Sequence, residues 1–137
     1  MKYFSICIDG IDKTGKDTLL GFIDLLSNHK YVINVRGMLS QLAFAELYNR
    51  DYKYDISTQQ YILNVLLTAN KEDWEVRCKL TKEPKISYEA NSIAFESAYK
   101  LLKNNNLPVI RFDTSTMTPY MIAKEIIKYL DKLEEEK

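Results

Sequence analysis

Along this chain, short apolar runs alternate with longer stretches in which apolar residues recur every three or four positions. Residues 3–8 (Tyr-Phe-Ser-Ile-Cys-Ile) form an apolar run that closes at Asp9-Gly10, the pattern of a buried strand entering a tight turn. From Lys16 the spacing becomes helical, with Leu19, Phe22, Ile23 and Leu26 at i, i+3, i+4 and i+7. That helix is predicted to stop near Asn28-His29-Lys30, where basic side chains complement the negative end of a helix dipole. Tyr31 to Val35 reads as a second strand, broken by Gly37, and Leu39, Leu42, Ala43 and Leu47 outline a second helix. Polar, Tyr-bearing residues from Arg50 to Thr58 predict a loop.

A third strand is predicted over Tyr61–Thr68, followed by a helix over Lys71–Leu80 with Trp74 and Cys78 on one face. Thr81 to Tyr88, carrying Lys82, Pro84 and Lys85, reads as a short mobile loop, part of a lid around 78–90. Ser92 to Lys103 is predicted helical, with Ile93, Tyr99 and Leu102 as its apolar residues. Asn104-Asn105-Asn106 turns the chain into a fourth strand over Pro108–Phe112. Thr118 then caps a last helix with Pro119 at the tolerated first position and an apolar stripe of Ile122, Ile126, Leu130 and Leu133. The acidic run at Glu134–Glu136 reads as its fraying, solvated end. Strands alternating with helices throughout predict a parallel sheet with right-handed crossovers and helices on both faces, one α/β domain over 1–137.

Composition narrows the function classes. Lys plus Arg and Asp plus Glu both total 19, so no long-range positive field draws the chain to nucleic acid or anionic lipid. With His29 as its one histidine, the chain has no site built on several imidazoles. Cys7 and Cys78 are far apart and fit neither a disulfide framework nor a metal knuckle, which predicts buried thiols in a reducing compartment. The N-terminal apolar run is too short for a signal peptide or a membrane span, and a soluble, cytoplasmic protein is the expectation.

The chemistry concentrates between the first strand and the first helix, in Asp9-Gly10-Ile11-Asp12-Lys13-Thr14-Gly15-Lys16-Asp17-Thr18. Gly10 and Gly15, with four residues between them, let the backbone curl so that successive N–H groups face one anion, and the helix N-terminus adds partial positive charge. Lys16 is placed to reach the outer phosphates of a nucleotide. Lys13, Thr14, Gly15 and Lys16 complete the cradle. Asp17 stands where the G-x-x-x-x-G-K-[S/T] motif carries a hydroxyl for Mg²⁺; its carboxylate and the Thr18 hydroxyl are the metal-binding candidates.

The run from Ile8 to Lys16 resembles the phosphate loop of thymidylate kinases and related deoxynucleoside monophosphate kinases, and its Gly-Lys-Asp-Thr ending is similar to some phage-type deoxynucleotide kinases. The resemblance implies a three-layer α/β/α phosphate-loop NTPase fold, with Asp12 approaching the acceptor sugar and phosphate. Val32–Phe44 is similar to the family's strand ending in Asp-Arg, followed by Ser and an Ala-Tyr pair: Arg36, Ser40 and Ala43-Phe44 match, while Val35 replaces the Asp. A guanidinium at Arg36 suits bidentate contact with phosphate. Arg77 falls where a lid-side Arg is implied, with Lys82 and Lys85 as further cations, and Phe112-Asp113-Thr114-Ser115 resembles the segment lying against the adenine.

Family members run to about 200 residues, in the upper part of the single-domain range. Here the first helix leads directly into the Arg36 strand, and the strand and helices that usually intervene, with their monophosphate-holding Arg loop, have no counterpart. The sheet is then four strands with the first strand central, and its trimmed edge suggests a homodimer. Each residue also has a plainer role: Asp12 neutralising Lys13, Arg36 at a strand end on the surface, Arg77 pairing with Glu72, Asp73 or Glu75. Tyr48, Tyr52 and Tyr54 either stack a base or cover a core edge.

The resulting expectation is an ATP- and Mg²⁺-dependent kinase that passes the γ-phosphate to a (deoxy)nucleoside monophosphate such as dTMP. Lys16, Asp12, Arg36 and Arg77 are its catalytic candidates. Gly10, Lys13–Thr18, Asp113 and Thr114 would bind the donor. The alternative is a nucleotide-binding regulator that keeps the pocket without phosphotransfer. A nucleotide-hydrolysing switch ranks last, because Thr68-Ala69 stands where the third strand would end in Asp.

Overall fold

The computed structural model describes residues 5–10, 15–35, 37–49, 61–81 and 87–135. Strands and helices follow in the order β1 (Ser5–Gly10), α1 (Lys16–Leu26), β2 (Val32–Val35), α2 (Met38–Leu47), β3 (Leu63–Thr68), α3 (Lys71–Thr81), α4 (Tyr88–Asn104), β4 (Val109–Asp113) and α5 (Pro119–Glu135). The strands form one parallel sheet in the order β2-β1-β3-β4. β1 and β3, paired from Ile6↔Leu63 to Gly10↔Leu67, are the inner strands and are buried almost throughout. The outer strands are more exposed: β2 alternates exposed and half-buried residues, and β4 is half-buried except for exposed Arg111 and buried Phe112.

Side-chain alternation on β1 divides the core. Ile6 and Ile8 face α1 and α5, where they pack with Val65, Leu67, Leu19, Ile23, Ile122, Ile126 and Leu130. The opposite face, covered by α2 and α4, carries Leu39, Ala43, Leu66, Ala94, Phe95, Ala98 and Leu102. On that face β1 places Cys7 and Asp9, and β3 places Asn64, so its centre is polar although fully buried. Trp74 and Cys78 of α3 are buried together against Tyr88. Neither cysteine is in a disulfide.

The cap of α5 agrees with the sequence reading, whereas α1 ends at Leu26, capped by Ser27, with no basic residue in its last turn. Thr118 Oγ1 accepts from the Met121 N–H at 3.2 Å, and the α5 stripe is buried at Ile122, Ile126 and Leu130. Three other expectations change. α4 begins at Tyr88, capped by Ser87, whose Oγ accepts from the Ala90 N–H, so residues 88–90 are helix. Its buried face runs through Asn91, Ala94, Phe95, Ala98 and Leu102, which leaves Ile93 64% exposed because it is out of phase with the contact to α2. α3 extends through Thr81; residues 82–86, which carry the middle of the expected lid, lie outside the described residues, as does the loop expected over 50–58.

The C-terminal helix ends solvated, with Glu134 and Glu135 exposed, and is also tied back towards the sheet. Lys30 Nζ donates to Glu134 Oε1, and the Tyr31 hydroxyl donates to the same oxygen at 3.4 Å. Together these contacts tie the last turns of α5 to the start of β2.

Burial, then the Glu134 and Asp131 carboxylates, raise the Tyr31 phenol to about 12. A phenol raised on folding contributes stability that is full below its unfolded value near 10 and is lost as pH climbs towards about 12. Urea unfolding of Tyr31→Phe and wild type between pH 9 and 12 should therefore show a smaller alkaline loss of stability in the variant.

Candidate functional site

Leaving β1, the chain moves to β2 on one side of the sheet, whereas β3 leads to β4 on the other. The crevice beyond the carboxyl ends of β1 and β3 is therefore the topological switch point, where open α/β sheets bind ligands. Gly15 lies there as the N-cap of α1, at φ +83° and ψ 31°, a left-handed conformation that disfavours any side chain. Lys16 Nζ donates to the Gly10 carbonyl at 2.9 Å, which draws the ammonium back across the mouth of the loop. Asp17 and Thr18 are exposed in the first turn of α1. Residues 11–14, among them Asp12, Lys13 and Thr14, lie outside the described residues, as do Arg36, Tyr52, Tyr54, Lys82 and Lys85.

Among the described residues no group of three or more His, Cys, Asp or Glu side chains converges on a metal position. Mg²⁺ in phosphoryl-transfer sites needs no such cage, since one or two hard protein oxygens suffice beside phosphates and water. The exposed Asp17 and Thr18 oxygens next to Lys16 fit that requirement.

On the β3 side, Arg77 of α3 points to the β4–α5 turn. Its Nη1 donates to Thr114 Oγ1 at 3.1 Å and its Nη2 to the Thr114 carbonyl at 3.4 Å. Thr114 in turn donates to the Thr68 carbonyl from both its N–H and its hydroxyl, each at 2.8 Å. Asp113 Oδ1 accepts from the Ser115 N–H at 2.9 Å, and Ser115 Oγ accepts from the Asn70 N–H at 2.8 Å. Arg77, Asp113 and Thr114 are thus brought into one network at the end of the sheet, which the sequence suggested only as separate segments. A cavity of about 130 Å³ adjoins it, lined by Thr68, Ala69, Tyr88, Ser92, Phe95 and Glu96 among others. Tyr48 is exposed on the far side, beside Phe44.

Sequence reasoning missed the role of Asp9. Its carboxylate has no solvent exposure. Oδ1 accepts from the Gly37 N–H at 2.7 Å and from the Ser40 hydroxyl, and Oδ2 accepts from Cys7 Sγ at 3.2 Å. Burial first, and then the Asp9 charge, push the Cys7 thiol far above its ordinary range, so it remains a protonated donor. The available signals were an acid ending an apolar strand and the Gly and Ser that open α2; nothing in their spacing joined them.

The chain matches no family model and no curated protein. Among solved structures it is similar to the YorR protein of Bacillus subtilis in complex with phosphorylated GDP, with 20% identity, a TM-score of 0.67, and coverage of 97% of this chain and 98% of that one. It is also similar to thymidylate kinase from Candida albicans, with 11% identity, a TM-score of 0.58, and coverage of 97% and 93%. At these identities the likeness is one of fold. The chain has the three-layer α/β/α phosphate-loop fold with a four-stranded parallel sheet.

Gly37 is bound to this site by space as well as by hydrogen bonding, because a Cβ there would lie 2.1 Å from Cys7 Sγ. Gly37→Ala should destabilise the fold by about 1–3 kcal/mol. Combining it with Cys7→Ala should recover part of that loss, giving a coupling of about 0.5–3 kcal/mol in a urea double-mutant cycle.

Proposed function

We propose that this protein is a small nucleotide kinase that transfers the γ-phosphate of ATP to a (deoxy)nucleoside monophosphate such as dTMP. The observation that carries this reading is the pair formed by left-handed Gly15 and Lys16, whose ammonium is drawn onto the Gly10 carbonyl at the ligand end of the sheet. A glycine turn and a lysine at a strand-to-helix junction are the parts with which phosphate loops aim backbone N–H groups and one cation at a chain of phosphates. The fold shared with a thymidylate kinase, and with a protein solved with phosphorylated GDP, supports a nucleotide as the ligand.

In this mechanism an acceptor phosphate oxygen attacks the γ-phosphorus in line, the bond to the β–γ bridging oxygen breaks, and ADP leaves. Lys16 and the loop amides hold the β- and γ-phosphates. Arg36 and Arg77 offset charge spreading over the transferring group, and Asp12 orients the acceptor. The turn at Asp113-Thr114 borders the adenine. Mg²⁺, held through Asp17 and Thr18, supplies neutralisation of phosphate charge when bound.

A second reading, a nucleotide-binding regulator without phosphotransfer, is favoured by one observation: Val35 ends β2 where the resemblance implies an Asp.

Transfer of labelled phosphate from ATP and Mg²⁺ to a panel of ribo- and deoxynucleoside monophosphates separates the two readings. A kinase should label one acceptor class. Lys16→Ala should lower that rate about 100-fold or more while circular dichroism remains unchanged. Wild-type protein that binds ATP in calorimetry yet labels no acceptor would establish the second reading instead. A Lys16→Ala protein working at the wild-type rate would remove Lys16 from the mechanism.

A further inference from the structure

We infer that the outer face of α5 docks a second copy of this chain, the two α5 helices lying antiparallel about a two-fold axis that passes between Tyr129 and Leu130.

α5 turns its apolar stripe to the core through Ile122, Ile126 and Leu130. Beside that stripe it forms, with the end of α1, a groove of about 560 Å³. The helix lines the groove at positions 124, 127, 128, 131, 132 and 135, the spacing of one continuous helix face. Ile127 is half-buried there, and Leu26 of α1 lines the same groove at 38% exposure, next to Leu25 at 69%. Apolar side chains rimmed by charges in this way have the composition of a contact surface.

The order of charges along α5 decides what covers it. On this face Lys124 and Lys128 come first, and Asp131 and Glu135 follow. Among the described residues no ion pair reaches these four side chains or Lys132, although Lys124 lies 5.6 Å from the centre of the Tyr120 ring. An antiparallel copy sets Lys124 opposite Glu135 and Lys128 opposite Asp131. It also sets Ile127 opposite Lys132, whose aliphatic stem covers apolar surface while its ammonium stays wet. The two-fold axis thus exchanges the six positions among themselves, as a self-complementary contact requires. Every pair of charges it opposes is of unlike sign, and each pair occurs twice. An acidic peptide or a nucleic acid would match only the lysine half and would meet Asp131 and Glu135 with like charge.

Exposed ion pairs add little singly, so the contact is weak and sensitive to salt. It joins helix faces and leaves both edges of the sheet open. None of its side chains is a candidate for nucleotide binding, so it stands apart from the kinase reading.

The test is sedimentation equilibrium of the full chain, with circular dichroism to establish that each variant is folded. In about 0.1 M sodium chloride the wild type should dimerise with a Kd of about 10–100 µM. Raising the salt to about 1 M should weaken it about tenfold, because the screening length falls from about 10 Å to about 3 Å. Lys128→Glu and Asp131→Lys each oppose like charges across the axis, and each alone should weaken dimerisation about tenfold or more. Mixed together, the two variants should pair with each other at close to wild-type affinity, because the mixed dimer opposes unlike charges at both exchanged positions.

A wild type that stays monomeric at about 500 µM would overturn the proposal. So would a dimer indifferent to both single variants, or single variants that do not recover on mixing, since the contact would then lie elsewhere. Binding of a fluorescein-labelled polyglutamate peptide by a monomeric wild type, lost in Lys128→Glu, would give the groove to an acidic partner and overturn the second copy as its occupant.

Discussion

A carboxylate shut away from water at the end of β1 must be matched by donors, and the ligand end of this molecule is arranged around that requirement. Asp9 takes its hydrogen bonds from Cys7, Gly37 and Ser40. Gly37 can supply its N–H because a bare Cα lets the chain approach the Cys7 sulfur, where any Cβ would collide. The same approach sets where α2 begins, and α2 then meets α4 across the second half of the core. The sheet and α2 thus share one buried carboxylate as their reference point.

The other side of the crevice is held differently, by many small polar groups in place of one buried charge. Thr68, Thr114, Arg77, Asn70 and Ser115 join the ends of β3 and β4 to the start of α3. Single contacts of this kind contribute about 1 kcal/mol each, so this side depends on their number.

The small sheet concentrates these functions. With four parallel strands, the inner pair β1 and β3 borders the crevice, and the candidate residues in the described chain, Arg77 in the middle of α3 excepted, lie within a few positions of a strand end or a helix start. The tie from Lys30 and Tyr31 to Glu134 braces the edge strand β2 at the opposite end, where the first crossover returns to the sheet. Fold and site are therefore stabilised at both ends of the strands, by polar contacts outside the two apolar clusters.

What was legible in the sequence depended on near neighbours. Alternation of strand and helix, the turn at Gly15 and the Thr118 cap each follow from residues within one or two turns of each other, and their physics is local. The α5 stripe was legible too, since a helix buried along one face repeats its apolar residues at a fixed period. Ile93 shows the limit of that rule: periodicity proposes a face, but the helix that packs against α4 selects which face is buried. The pairing of Asp9 with Gly37 and Ser40, across 28 and 31 residues, and of Arg77 with Thr114, across 37, was decided only when parallel crossovers carried distant segments to the same end of the sheet. Sequence alone determined which elements form and singled out the junction of β1 and α1; tertiary structure decided which polar groups meet, because a buried polar group takes its partners from space and not from sequence.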